Sequence, residues 1–242
     1  MNKNLKNWAN SFSGCDGGNI KADTWLCGIE WGYSDGTEEE KQNYYTNELP
    51  EEIGEGAVKL NSSYNFFTDE SLVYPFNRGF AKLYAAYKGD DVGNYNAITG
   101  QLLKLNISPI GFWKDEEYLW DKYNLSKTTG FDVKEYFVSY LNSLNRFTEI
   151  RNNHKPKLIV CVGVGRRNDF LRCFFGNKDI DFKKTTLTPQ SESNKNTRNI
   201  YYSRYDETLI VVVPFFTSSN GLNSDYLLQK TGDAIAKLLK NV

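Results

Sequence analysis

A chain of 242 residues with 40% hydrophobic and 15% aromatic content supplies enough apolar mass for a folded core, which excludes a disordered tail or a low-complexity linker protein. No apolar run approaches the ~20 residues needed to cross a bilayer, and the lysine-bearing start MNKNLKNWANSF lacks the apolar stretch of a secretion signal, so a cytoplasmic protein is expected. The formal net charge of −1 conceals an asymmetry: residues 151–204 carry twelve Lys/Arg against four acids, and the rest of the chain is correspondingly acidic.

With no linker-like segment to divide it, residues 1–242 read as one domain. The first strand is predicted over 24–29 (TWLCGI), apolar on both faces as in a buried parallel strand. Gly28 and Gly32 flank Glu30 and are expected to let the chain turn beyond the strand's carboxyl end, the edge at which open α/β sheets bind ligands. A helix face follows in 78–88, with apolar residues at 80, 83, 84 and 87. The second strand is expected over 101–107 and a long helix over 132–150, capped by Asp132 and carrying Val133, Phe137, Tyr140, Leu141, Leu144 and Phe147. The third strand is 157–163, then a helix over 166–175. The segment 199–205 pairs through Asp206-Glu207 with the fourth strand, 208–214, and the last helix begins at Asn223. This alternation predicts a three-layer α/β/α sandwich around a central, mostly parallel, four-stranded sheet.

The four cysteines (15, 27, 161, 173) form no CxxC pair, and two lie inside predicted strands; buried free thiols fit better than a metal or iron–sulfur site. His154, the single histidine, excludes mechanisms that need two. Gly163 and Gly165 follow the third strand, but Asn168 stands where a dinucleotide fingerprint needs its third glycine, so they read as a tight strand-to-helix turn. Neither a P-loop nor a GxSxG elbow occurs. No cofactor, metal or membrane is expected, and a monomer is favoured. The basic lobe suits a polyanion, with Arg166 and Arg167 as candidate backbone contacts; a solvated charged face explains the same residues.

The order of the strand ends adds a resemblance. Cys27-Gly-Ile-Glu30-Trp31-Gly32 after the first strand is similar to the first motif of the uracil-DNA glycosylase superfamily, with Glu30 at the water-activating position. Leu102-Leu-Lys-Leu-Asn106-Ile-Ser108 looks like the segment that carries the family's base-reading asparagine. Tyr64-Asn-Phe66-Phe67 resembles the source of the stacking aromatic, and Val213-Pro-Phe-Phe-Thr217-Ser218-Ser-Asn220 stands where the family has an HPS-like motif. The resemblance implies a protein that flips a base from DNA and hydrolyses its N-glycosidic bond. Glu30 would place the water and Asn106 would read the base. Phe66, Phe67, Trp31 and Tyr33 would form the walls, and Thr217, Ser218 and Asn220 the last contacts. Two departures stand out: Trp31 replaces a proline, and Phe215 or Phe216 replaces the histidine that steadies charge on the departing base. A non-catalytic relative that binds nucleic acid or a nucleotide accounts for both departures, and a small-molecule enzyme using the same sheet edge is a third reading. Residue by residue, Glu30 also reads as a structural strand-end group, Asn106 as a turn residue, Phe66 and Phe67 as core, and 217–220 as a helix cap.

Overall fold

The computed structural model describes residues 3–30, 36–112, 118–188, 190 and 197–240. Helix α1 (Lys3–Ala9) precedes a short edge strand β1 (Gly17–Gly18) and strand β2 (Thr24–Gly28). Helices α2 (Glu38–Asn43), α3 (Leu49–Glu55), α4 (Asp69–Leu72) and α5 (Pro75–Lys88) follow, with a π-helical segment, Tyr44–Glu48, joining α2 to α3. Strand β3 (Leu103–Asn106) leads to α6 (Tyr118–Lys122), α7 (Leu125–Thr129), α8 (Lys134–Leu144) and α9 (Thr148–His154). Strand β4 (Leu158–Val162) feeds α10 (Arg167–Phe175); β5 (Lys183–Leu187), β6 (Arg198–Tyr205) and β7 (Thr208–Val213) follow, and α11 (Asp225–Lys240) ends the described chain.

The fold is α/β, but the sheet is larger and more mixed than the four parallel strands expected. Seven strands join in the order β1-β3-β2-β4-β7-β6-β5. The four predicted strands are contiguous and mutually parallel, β3-β2-β4-β7, while β1 pairs antiparallel with β3, β6 with β7 and β5 with β6. The hairpin through Asp206-Glu207 forms as expected, Asp206 taking a left-handed φ of 51°. Both unforeseen strands are weak in sequence: β1 is two glycines, and Lys183-Lys-Thr-Thr-Leu187 is a polar edge strand whose first two residues are exposed.

Registers of one-to-one pairing divide the central side chains between two faces. Leu26, Val160, Val162, Val211 and Val213 pack with α5 and α11, through Phe80, Leu83, Leu227 and Ile235. Trp25, Cys27, Ile159, Cys161, Ile210 and Val212 pack with Phe147, Phe170, Cys173 and Phe174 on the other side. A separate cluster, including Trp8, Tyr45, Leu49, Ile110, Phe112, Trp120, Tyr123 and Phe137, gathers α1, α3, α6 and α8 into a helical lobe beside the sheet. The predicted helix over 132–150 is two helices. Its N-cap is Val133, without a side-chain cap, and Asn145 (φ 51°), an asparagine that tolerates the left-handed region, ends α8 before α9 begins. The last helix starts later than Asn223, where the Ser224 hydroxyl accepts from the Leu227 N–H at 3.3 Å. Among the described residues no helix is long and apolar enough to cross a membrane.

Helices α5 and α11 approach closely at Gly232, where an added Cβ would strike the Ala86 side chain and lie 2.8 Å from the Ala86 carbonyl carbon and the Tyr87 nitrogen. Gly232→Ala is expected to destabilise the protein by about 1–3 kcal/mol through overpacking, despite alanine's better helix propensity. Gly54→Ala in α3, with nothing within 4 Å of its added Cβ, should stabilise by up to ~1 kcal/mol. Denaturant midpoints of the two variants, shifted in opposite directions, check the contrast.

Candidate functional site

The carboxyl ends of β2 and β3 are stitched together past the strands proper: the Ile107 N–H donates to the Gly28 carbonyl at 3.1 Å and the Ser108 N–H to the Ile29 carbonyl at 2.7 Å. Glu30 therefore leaves the sheet beside Ser108. Gly28 lies within β2 and has no positive φ; its missing Cβ leaves room for the Asn106 side-chain oxygen, which a larger residue would displace. Likewise Gly163 (φ 126°) lets the chain turn after β4, and its missing Cβ leaves room for Ile29, whose Cδ1 a Cβ would meet at 2.7 Å.

Between this edge and α8 opens a narrow cleft. The strand ends contribute Ile29, Glu30, Ile107 and Ser108, and α10 with its preceding turn contributes Arg166, Asp169 and Cys173. Lys134, Val138 and Asn142, spaced four residues apart on α8, supply one row of the opposite wall, with Phe137 and Leu141 beside them and Trp120 behind. The Glu30 carboxylate, 12% exposed, lies 3.9 Å from the Lys134 ammonium, which also stands over the Phe112 ring at 4.7 Å. Asp169 stands 3.7 Å from Arg166 and accepts from the Asn142 amide at 2.7 Å. The cleft thus sets two carboxylates and three cations (Lys134, Arg146, Arg166) among apolar and aromatic walls, the make-up of a ligand site.

Arg146 closes its floor. The guanidinium is 6% exposed, lies over the Phe147 ring at 4.8 Å, and pairs with no carboxylate among the described residues. It donates instead to main-chain carbonyls: Ser11 from Nε (2.9 Å) and Nη2 (2.7 Å), Ser13 from Nη2, and Asn106 from Nη1 (2.8 Å).

The residues named from sequence are dispersed. Glu30 and Arg166 line the cleft. Asn106 is buried behind it, its amide donating to the Gly14 carbonyl at 2.7 Å and its N–H bonded to the Cys15 sulfur. Phe66 is buried in the α5 core, edge-on to Phe80, and the half-buried Phe67 packs edge-on to Tyr84. Thr217, Ser218 and Asn220 lie on an exposed turn, whose Ser219 and Gly221 carbonyls accept from Arg198. Arg167 stacks over Tyr201 at 5.0 Å. Trp31 and Tyr33 lie outside the described residues. Sequence reasoning missed Ser108, Trp120, Lys134, Asn142, Arg146 and Asp169; for Lys134 and Asn142 a signal existed, as two polar residues eight apart on an otherwise apolar helix face.

All four cysteines are free. Burial pushes the Cys15 thiol up to about 11, against the lowering influence of Arg146, and raises those of Cys27, Cys161 and Cys173. Among the described residues no three His, Cys, Asp or Glu are grouped to hold a metal. The folded state holds these thiol protons more tightly than the unfolded chain, so their stabilising contribution is complete below the ordinary thiol value and is lost as pH rises through the folded one. Stability should therefore fall between pH 9.0 and about 11, the interval over which Cys15 is shifted, as urea midpoints measured across that range will report; Cys15→Ser should flatten the decline. Arg146→Met, which takes the guanidinium donors from the Ser11 and Ser13 carbonyls, is expected to cost about 3 kcal/mol in the same measurement at pH 7.

Compared with protein-family models, with curated proteins and with solved structures, the chain matches none.

Proposed function

We propose that the cleft receives the base and phosphate of a nucleotide unit, and that Glu30 supports hydrolysis of its N-glycosidic bond. The observation that carries this reading is the Glu30 carboxylate, nearly buried at a parallel-sheet edge and facing a largely apolar cleft. Breaking an N-glycosidic bond leaves positive character on the sugar and negative character on the base. A carboxylate beside the sugar orients water and offsets its charge. The half-buried Ile29, Ile107 and Val138 supply apolar surface for a ring that has left its stack, backed by the buried Trp120 and Phe137, and the excess of cations over carboxylates favours a phosphate-bearing ligand. The sequence resemblance points to the same reaction on DNA.

A second reading, a non-catalytic protein binding the same ligand class, is favoured by one observation: Asn106, the expected base reader, is buried with its amide given to Gly14. Base release from oligonucleotides containing uracil, hypoxanthine or xanthine separates the two. Under the first reading, release is detected and Glu30→Gln lowers its rate about 10²–10⁴-fold. Unchanged release in the variant removes Glu30 from the mechanism. Absence of release from every substrate, with binding that weakens as salt rises, selects the second reading.

A further inference from the structure

We infer that Asn142, held in one orientation by Asp169, selects for ligands that present an N–H donor to the cleft. The inference rests on the nucleotide reading above and adds to it the class of base the site prefers. An asparagine amide carries a donor and an acceptor end, and free rotation would let it face a ligand with either. Here the choice is made by the protein. The Asn142 Nδ2 lies 2.7 Å from the Asp169 Oδ1, and a carboxylate only accepts, so the nitrogen is fixed on Asp169. Asp169 is 17% exposed, and its other oxygen is 3.7 Å from the Arg166 guanidinium, which holds the carboxylate in place. The amide's remaining end is its carbonyl oxygen, to which no described residue donates. Asn142 is half-buried and lines the cleft on the same helix as Lys134, which accompanies Glu30. The chain Arg166–Asp169–Asn142 thus presents an acceptor to the ligand.

A ring N–H, as uracil, thymine, guanine and hypoxanthine carry, satisfies such an acceptor, as does the exocyclic amino group of adenine, cytosine or guanine. Methylating the ring nitrogen of uracil removes that base's sole N–H donor and leaves the Asn142 oxygen unpaired, an arrangement that polar sites reject strongly. Asn142 and Asp169 act as specificity and positioning residues; neither takes part in bond breaking.

Calorimetric titration of the full chain with deoxyuridine and deoxyguanosine monophosphates, each beside its ring-N-methylated analogue, tests the inference. The expected result is that in at least one pair the unmodified nucleotide binds about tenfold or more tightly than its methylated partner. Asn142→Ala should bring that ratio near one. Asp169→Asn, which frees the amide to rotate, should lower it while leaving the melting temperature within a few degrees, an effect that mere support of α8 would not produce. Equal binding within both pairs, or a ratio that survives Asn142→Ala, overturns the inference and leaves the nucleotide reading standing. Binding of none of the four nucleotides overturns both.

Discussion

A single buried guanidinium holds the parts of this molecule that matter most for a ligand. Arg146 sits between three chain segments far apart in sequence: the loop at 11–13, the end of β3 at 106, and the break between α8 and α9 on which it resides. A cation so placed would be costly without partners, yet among the described residues it meets no carboxylate. Its partners are backbone carbonyls at a strand end and a loop turned inward, groups that need donors once buried. The same contact fixes the floor of the cleft, positions the carboxyl edge from which Ser108 departs, and anchors the helix that carries Lys134 and Asn142.

The break at Asn145 is the local condition for that arrangement. An uninterrupted helix from 132 to 150 would satisfy the apolar periodicity of the sequence. The left-handed turn instead frees Arg146 from helical geometry and turns α9 so that Phe147 packs against Phe174. Periodicity reports which face of a helix is buried, not whether the helix is continuous, and a lone asparagine is a weak marker of a stop. The central parallel strands were legible for the opposite reason: runs such as Leu158-Ile-Val-Cys-Val162 are apolar on both faces, a pattern that buried parallel strands share with little else.

The helical lobe was less legible, although Thr37-Glu-Glu-Glu40 is a capping box in sequence and forms one in the structure. Its apolar residues Tyr44, Tyr45, Leu49 and Ile53 are thinly spread among acids, and they become a core only by meeting Trp8, Trp120 and Tyr123 from distant segments. The candidate site was half legible. Glu30 announced itself as a carboxylate where a strand should end; Asn106 looked the same by that criterion, but its role depends on Gly14 and Gly28, which sequence spacing does not bring into view. Residues that line a cleft from a helix are recognisable only once the helix is known to face a sheet edge.

The outer strand β5 gives the basic lobe a second meaning. A sheet that ends in an uncovered strand offers unpaired amides and carbonyls to any other extended chain, and long parallel sheets are vulnerable to such additions while they fold. Lys183 and Lys184 stand exposed on that border, opposite Tyr202 and Tyr201 of β6. Two adjacent ammonium groups there repel an identical border on another copy. Part of the positive excess of this region therefore lies along the sheet's border, where a strand added edge-on would meet it.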